Sequence, residues 1–239
     1  PSEDDYLLKD REAFETLYRP KMQFCPERVN YEYFKKMADE ASAANPVNDF
    51  KAVYEINNAG VNQPMEPIWM LSEQEISTLV DVDLKGAVLG SKVAMETMLA
   101  KKQGAIYNLE GYGSNDAMML GLNMYGTTKR AVTHFTQALA KESEEKQTGI
   151  LVGRLSPGIM ITDFTVNALG GKERIDLPEK TKKVYNILGD YPDVVAAFLV
   201  KEMLVNTKNN AHIEWLTGGK AAWRVMTAAF NKRDFFQKA

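Results

Sequence analysis

The alternation of apolar and polar positions predicts short strands separated by helices over most of the chain. Four apolar runs, bounded by glycine, proline or asparagine, have the length and composition of buried strands. They are Lys51–Ile56, Ala105–Leu109, Ile150–Leu155 and Ala211–Leu216. Strands that alternate with helices of a dozen or more residues are typical of βαβ units. We therefore expect an α/β fold with a mainly parallel sheet.

Capping signals and apolar periodicity predict the helices. Ser72 and Glu75 form a capping box ahead of a helix that continues, with one break, to Leu99. Two further helices are predicted over Tyr125–Glu145 and Asp193–Val205. In the first fifty residues, helical spacing occurs over Glu12–Tyr18 and Tyr31–Ala44.

Composition excludes several classes of protein. The chain has 239 residues, 45% apolar and 26% charged, which is ordinary for one large soluble domain. A formal charge of −3 argues against a nucleic-acid binder. No apolar run approaches about eighteen residues, so no membrane-spanning helix is expected. The chain contains one cysteine, Cys25, and two histidines. Neither a disulfide nor a Cys/His metal site is therefore expected.

Tyr125 and Lys129 form the first candidate for chemistry. Residues four apart on a helix lie on the same face. An ammonium group at Lys129 would lower the pKa of the Tyr125 phenol, as a general acid/base acting near neutral pH requires. Taken alone, the pair is better explained by a solvated helix face.

Motifs at the ends of three predicted strands strengthen that candidate. Asn57-Asn-Ala-Gly60 follows the first strand, and Ser114 lies on a glycine-punctuated loop after the second. Ser156-Pro-Gly158 ends the third strand, with Thr162 four residues further on. Ligand sites in open α/β sheets form at the carboxyl ends of the strands. We therefore expect these residues to share one pocket with Tyr125.

The order Asn-Asn-Ala-Gly, Ser, Tyr-x-x-x-Lys and Pro-Gly-x-x-x-Thr resembles the short-chain dehydrogenases/reductases, from about Val53 to Leu216. Within that family, the sequence is most similar to the chlorophyll(ide) b reductases of plastids. The similarity lies in the segments Tyr107–Ser114, Tyr125–Lys129 and Leu155–Asp163. The resemblance implies a Rossmann-type, doubly wound sheet. It also implies one domain over residues 1–239, with an atypical segment at 1–50 and an amphipathic basic, aromatic tail at 221–239.

The same resemblance implies a role for each motif residue. Tyr125 would donate a proton to the substrate carbonyl oxygen, Lys129 would tune Tyr125 and hold the nicotinamide ribose, and Ser114 would position the carbonyl. The implied cofactor, NADP or NAD, would be bound by Asn57, Ala59 and Gly60 on its adenosine side and by Pro157, Gly158 and Thr162 near the nicotinamide. The implied reaction is reduction of a carbonyl group, with the formyl of a chlorophyll-type pigment as the candidate.

Two departures from the family pattern affect that expectation. The family's Asn-x-x-Gly element reads Asp83-Leu-Lys-Gly86, and a carboxylate at Asp83 would oppose ionisation of Tyr125. The family's glycine-rich phosphate turn has no counterpart before Asn57, because the first glycine of the chain is Gly60. The first βαβ unit is therefore expected to be missing or remodelled, with Met22–Pro26 and the helix from Tyr31 standing for the third strand and its helix.

The missing unit would leave a gap in the middle of the sheet. Residues 1–20, a partner chain or sequence upstream of Pro1 would have to fill it, since unpaired buried backbone groups are costly.

Two functions follow from these observations. One is an NAD(P)H-dependent reductase of a hydrophobic carbonyl substrate. The alternative is a catalytically degenerate reductase fold, without cofactor, that serves as a structural or assembly subunit of a larger, photosynthetic complex. A homo-oligomer or such a complex is expected in either case.

The aromatic tail would dock on a partner or a membrane surface, or it would pack on the domain itself. The expected compartment is the plastid or the cytoplasm.

Overall fold

Four parallel strands form one sheet at the centre of the protein. The computed structural model describes residues 54–162 and 177–236, together with 31–32 and 35–36. The strands are β1 (Tyr54–Asn57), β2 (Gly104–Leu109), β3 (Ile150–Ser156) and β4 (His212–Glu214), and they are hydrogen-bonded in the order β1-β2-β3-β4. All three pairings are parallel, which confirms the predicted α/β fold.

Helices occupy the connections between the strands. They are α1 (Glu73–Leu79), α2 (Ala87–Leu99), α3 (Asn123–Glu145), α4 (Glu179–Leu188), α5 (Pro192–Val205) and α6 (Gly218–Thr227). The capping box at Ser72 is confirmed. The predicted break after α1 is a π-helix over Val80–Gly86. Helix α4 was not predicted, and none of its residues is fully buried.

The predictions for the amino-terminal segment concern residues that are largely outside the described part. Tyr31, Glu32, Lys35 and Lys36 are helical, in agreement with the helix predicted there. The predicted helix Glu12–Tyr18 and the strand expected at Met22–Pro26 lie outside the described residues, and so do all of residues 37–53.

Strand β2 places alternate side chains in two apolar layers, one on each face of the sheet. Ala105 and Tyr107 pack with residues of β3 and α5, whereas Ile106 packs with residues of α2. The partners are Leu155, Val195, Leu199 and Met203 on the first face and Ala94, Met98 and Ile150 on the second. Helices therefore cover both faces, as a doubly wound fold requires.

A buried chain of polar side chains ties the first two strands to the helices around them. Asn57 Nδ2 donates to Asn108 Oδ1 (2.8 Å) and to Ser91 Oγ on α2 (3.1 Å). Asn108 Nδ2 donates to Thr136 Oγ1 on α3 at 2.8 Å. A Cβ atom on Gly90 would overlap Asn57 Oδ1, so α2 approaches β1 closely because of this glycine. These bonds fix the carboxyl ends of β1 and β2 relative to α3.

Glu55 lies two residues before Asn57, on the same face of β1. Burial raises the pKa of this carboxyl to about 7. Because its pKa is raised on folding, the stability it contributes is present below its ordinary value of about 4.3 and is lost as pH rises through about 7. Between about pH 5 and pH 8 we expect the free energy of unfolding to fall by about 1–3 kcal/mol, and Glu55→Gln to abolish most of that fall.

Denaturant unfolding of both proteins at the two pH values measures this effect. An equal pH dependence in Glu55→Gln would contradict it. Glu66→Gln, an exposed carboxylate in the loop after β1, is the matched control and should behave like the wild type.

The C-terminal segment packs partly on the domain. Asp190 accepts hydrogen bonds from Arg224 Nη1 (2.6 Å) and Arg233 Nη1 (3.1 Å), which attach α6 and the following turn to the start of α5. Large aromatic side chains of this segment that stay exposed are Trp223 (63%) and Phe230 (88%). No helix of the described part is long and apolar enough to cross a membrane.

Candidate active site

Tyr125 and Lys129 lie side by side on the face of α3 that packs into the protein. Their side chains are 7% and 5% exposed. Lys129 Nζ is 5.6 Å from the centroid of the Tyr125 ring. Helix α3 begins after the loop from β2, so its first two turns lie at the carboxyl edge of the sheet. The spacing of the two residues therefore has the predicted consequence, a shared face, and the pair is buried rather than solvated.

The hydroxyl of Tyr125 lies against the backbone of Gly111. A Cβ atom on Gly111 would overlap Tyr125 Oη and would lie 3.1 Å from Cγ and Cε of Lys129. This glycine follows β2 after one intervening residue, Glu110. The Tyr125–Lys129 pair can therefore occupy its position only because residue 111 has no side chain.

Ser114 is buried beside the pair and forms hydrogen bonds with the backbone. Its Oγ accepts from Gly111 N at 3.2 Å and donates to the carbonyl oxygen of Lys129 at 3.4 Å. In these contacts the hydroxyl shapes the loop between β2 and α3. Its predicted role in holding a substrate carbonyl stays a prediction.

Asp83 reaches the same pocket from the π-helix. It is 1% exposed, and its Oδ1 accepts a hydrogen bond from Val61 N at 2.7 Å. A Cβ atom on Gly60 would lie 3.3 Å from Asp83 Oδ1 and 3.4 Å from Lys129 Nζ. The carboxyl and the ammonium group thus flank the same glycine. Thr128 Oγ1 donates to Asp83 Oδ2 at 3.4 Å, from the turn of α3 between Tyr125 and Lys129.

Burial dominates the electrostatics of the pocket. It raises the pKa of Asp83 to about 6, although Lys129 and the Val61 amide oppose the shift. Burial also lowers the pKa of Lys129, against the effect of Asp83. Burial and the Asp83 carboxylate together hold the pKa of Tyr125 well above its ordinary value.

These shifts correct one sequence-based expectation and confirm another. The expected lowering of the Tyr125 pKa by Lys129 is not found in this structure, because burial of the phenol and the Asp83 carboxylate raise that pKa. The expectation that Asp83 opposes ionisation of Tyr125 is confirmed.

The residues predicted to bind a cofactor end the first and third strands. The side chain of Asn57 is held by Ser91 and Asn108, so it is occupied inside the fold. Pro157 is buried, and Gly158 has φ +71°, where a Cβ atom would lie 2.6 Å from Leu216 Cβ. Two further predicted residues are Ala59, which is exposed, and Thr162, the last residue described before 177.

This arrangement fits one half of a nicotinamide cofactor. The backbone of Gly60 lies close to the buried ammonium of Lys129, since a Cβ atom there would be 3.4 Å from Nζ, and that ammonium is a donor that suits a ribose hydroxyl. The pyrophosphate half has no comparable site among the described residues, and residues 1–59 contain no glycine that could form the family's phosphate turn.

Sequence reasoning missed two buried polar residues that support α3. Gln63 is 1% exposed, and its Oε1 accepts from Tyr125 N at 2.8 Å. Glu110 is 6% exposed, and Thr133 Oγ1 lies 3.1 Å from both Glu110 Oε1 and the carbonyl oxygen of Lys129. A carboxylate directly after a buried strand could have drawn attention to Glu110. Gln63 lies in a loop without periodicity, so no local pattern identifies it.

Comparison with known proteins decides the family. The profile of short chain dehydrogenases matches residues 36–172, more than half of the chain. The chain belongs to the short-chain dehydrogenase family. Over 179 residues it is 30% identical to the chloroplast chlorophyll(ide) b reductase NOL of Arabidopsis thaliana, covering 72% of this chain and 49% of that protein.

Other members of the family give the same result. A probable chloroplast chlorophyll(ide) b reductase of Oryza sativa subsp. japonica is 29% identical over 184 residues, covering 77% of this chain and 34% of that protein. The chain thus spans a third to a half of these relatives. The closed form of a serine dehydrogenase complexed with NADP+ is 25% identical, with a TM-score of 0.62, covering 79% of this chain and 73% of that chain. The predicted family, fold and likeness to plastid chlorophyll(ide) b reductases are confirmed.

Proposed function

We propose that this short-chain dehydrogenase is an NADPH-dependent reductase of a large apolar carbonyl compound, with the formyl group of a chlorophyll-type pigment as its substrate. The observation that carries the proposal is the buried Tyr125–Lys129 pair at the carboxyl edge of the sheet. The likeness to chlorophyll(ide) b reductases supports the substrate. The comparisons give no support to a non-catalytic assembly subunit.

Tyr125 is suited to donating a proton. Its phenol is protonated at neutral pH and can donate to a carbonyl oxygen, although a pKa raised by burial makes it a weaker acid than a free phenol. The same shift disfavours the reverse oxidation, which needs the phenolate as a base. A bound reduced nicotinamide would supply the hydride to the carbonyl carbon. Lys129 would hold the ribose above Gly60, and Pro157, Gly158 and Thr162 would border the nicotinamide.

Exposed apolar side chains on two loops support a large apolar substrate. The loops connect β1 to α1 and β2 to α3, and they touch where a Cβ atom on Gly121 would lie 2.7 Å from the backbone of Met65. Their exposed members are Trp69 (80%), Met70 (65%), Met118 (93%), Met119 (46%) and Leu120 (95%). Large apolar side chains that stay exposed together on neighbouring loops are typical of a ligand or interaction site.

Turnover of a matched pair of pigments tests the proposal. We expect the chain to reduce chlorophyllide b with NADPH, detected by the change in its absorption spectrum, and to leave chlorophyllide a unchanged because its ring carries a methyl in place of the formyl. A thermal shift with NADPH but not with NADH would support the choice of cofactor. Absence of both turnover and any NADPH-dependent thermal shift would refute the proposal.

The assembly and location of the protein are part of the same proposal. We place it in the plastid, as the chloroplast location in the relatives' names suggests, as a single domain over residues 1–239. Tyr54 (36%) and Ile56 (42%) are exposed on β1, which pairs on one side only within the described residues. This edge is consistent with a homo-oligomer or a larger complex, which light scattering of the purified protein would detect.

Asp83→Asn should change the pH dependence of the reverse reaction. Above about pH 6 the Asp83 carboxylate is ionised and raises the pKa of Tyr125. Without that charge the pKa of Tyr125 falls, so we expect alcohol oxidation between about pH 7 and pH 10 to be faster than in the wild type, because more of Tyr125 is phenolate. The pH profile of kcat for oxidation of the product alcohol measures the difference.

Asp81→Asn is the matched control for this prediction. Asp81 lies on the same π-helix, where its side chain is exposed and forms an ion pair with Lys85 at 3.1 Å. It should leave the pH profile unchanged. Equal profiles for Asp83→Asn and the wild type would show that Asp83 does not act on Tyr125.

A further inference from the structure

We propose that Gln63 is the positioning residue that fixes the first turn of α3, and with it the hydroxyl of Tyr125, from the loop after β1. This inference rests on the proposed function. Gln63 is 1% exposed, and both ends of its amide are bonded. Oε1 accepts from Tyr125 N at 2.8 Å, and Nε2 donates to the carbonyl oxygen of Gly121 at 2.7 Å.

The N-cap residue of helix α3 provides no capping side chain, and within the first turn Asn123 Oδ1 accepts from Met124 N at 2.7 Å. The first amides of a helix have no partner within it, and a Ser, Thr, Asp or Asn at the N-cap normally accepts from one of them. Here the N-cap is Leu122, whose side chain makes no such bond. The first regular helical hydrogen bond runs from Gly126 N to Leu122 O. The amide of Tyr125, one residue earlier, therefore has no acceptor within the helix. Gln63 accepts from this amide across 62 residues of sequence.

The loop that carries Gln63 is anchored at its other end to the same pocket. Val61 N donates to Asp83 Oδ1, and Gly60 adjoins both Asp83 and Lys129. Three residues of this loop, Gly60, Val61 and Gln63, therefore contact the carboxyl, the ammonium group and the backbone of the tyrosine. Because β1 is fixed by its pairing with β2, this loop fixes the position of the first turn of α3 relative to the sheet.

The second bond of Gln63 joins the two apolar loops that border the pocket. Gly121 has φ +80°, and a Cβ atom on it would lie 2.7 Å from the backbone of Met65. The Gln63 amide holds the Gly121 carbonyl directly beside this contact. One buried side chain thus sets both the proton donor and the wall on which an apolar substrate would rest.

Loss of the Oε1 acceptor should loosen the first turn of α3. A buried amide without a partner is costly, so the turn would open to find water. The Tyr125 hydroxyl would then move relative to Gly111 and Lys129. We expect kcat to fall while the KM for NADPH stays the same, because Lys129 lies one turn further into the helix.

Three variants separate this role from a general effect on stability. Gln63→Met has the same length and removes both bonds, whereas Gln63→Glu keeps an acceptor for the Tyr125 amide. Gln74→Met is the matched control. Gln74 is exposed on α1, and its side chain donates a hydrogen bond to Thr78 on the same helix. Amide hydrogen exchange of the peptide containing Tyr125 is measured on the full chain, together with the NADPH-dependent reduction of 4-nitrobenzaldehyde as the probe carbonyl.

Gln63→Met should raise exchange at the Tyr125 amide about tenfold or more and lower kcat by a similar factor. Gln63→Glu should keep that amide protected and retain more of kcat, and Gln74→Met should match the wild type. The inference would be overturned if the Tyr125 amide of the Gln63→Met protein exchanged at the wild-type rate, or if it exchanged faster while kcat stayed unchanged. If Gln63→Met does not fold, Gln63→Asn, whose amide is one methylene too short, takes its place.

The exchange measurement also keeps the two proposals apart. If the wild type reduces neither the probe nor a pigment, the proposed function fails. In that case amide exchange still shows whether Gln63 protects the Tyr125 amide. If the wild type is active but its Tyr125 amide is not protected, this inference fails and the proposed function stands.

Discussion

Replacing Tyr125 with phenylalanine should lower turnover about 10³-fold or more, while the free energy of unfolding changes by about 1 kcal/mol or less. The phenol lies against Gly111 and beside Lys129, and we expect it, rather than the neighbouring Ser114 hydroxyl, to be the proton donor. Phenylalanine keeps the ring, and with it the packing of a side chain that is 7% exposed. NADPH oxidation with the reducible substrate measures the loss, and denaturant unfolding measures the stability.

Tyr107→Phe is the matched control for this result. Tyr107 is fully buried on the face of β2 that packs against α5, and its hydroxyl accepts a hydrogen bond from Asn206 Nδ2 at 2.9 Å. Its loss should cost about 1 kcal/mol of stability and leave turnover unchanged. If Tyr125→Phe retained a tenth of wild-type turnover, another group would have to be the proton donor. Unchanged NADPH binding in an inactive Tyr125→Phe would show that the loss is in the chemical step.

The fold was predictable because its signals are local. Periodicity located all four described strands to within a few residues, and the capping box at Ser72 marked the start of α1 correctly. The strand-end motifs were equally informative, since parallel strands bring their carboxyl ends to one edge. Gly60, Ser114, Tyr125 and Lys129 could therefore be expected in one pocket, whereas Asp83 was placed beside them by the resemblance to the family pattern.

The contacts inside the pocket were not predictable, because they depend on distances through space. Sequence spacing gave the shared face of Tyr125 and Lys129 but not their burial, which reverses the direction of the Tyr125 pKa shift. It gave no indication of Gly111, whose backbone the structure places against the tyrosine hydroxyl. Gln63 acts across 62 residues of sequence, where no local pattern could indicate its partner.

Gly111→Ala should lower turnover about 100-fold, the second largest effect we expect. The new methyl would overlap Tyr125 Oη and press on the stem of Lys129 at 3.1 Å, so the ring must turn away. A displacement of about 1 Å at a catalytic group costs on the order of 10²-fold in rate. The KM for NADPH should rise as well, because Lys129 is displaced together with the tyrosine. Steady-state kinetics with varied NADPH measures both changes.

Gly126→Ala is the control, because it adds a methyl one residue from Tyr125 where there is room. Its nearest neighbours would be Gly113 Cα at 3.7 Å and Tyr112 O at 3.9 Å, which are ordinary contacts. Alanine inside α3 should stabilise the protein by about 0.5–1 kcal/mol and leave turnover unchanged. A Gly111→Ala protein with turnover within threefold of wild type would contradict the role of Gly111.

A double-mutant cycle ties the effect of Gly111→Ala to the hydroxyl itself. In the wild type the added methyl should destabilise the fold by about 1–3 kcal/mol, as overpacking does. In the Tyr125→Phe background the overlapping oxygen is absent, so the same substitution should cost less, and the difference is the coupling between the two sites. Equal costs in both backgrounds would mean that residue 111 contacts something other than Tyr125 Oη, and the space for the proton donor would then have to be explained by another residue.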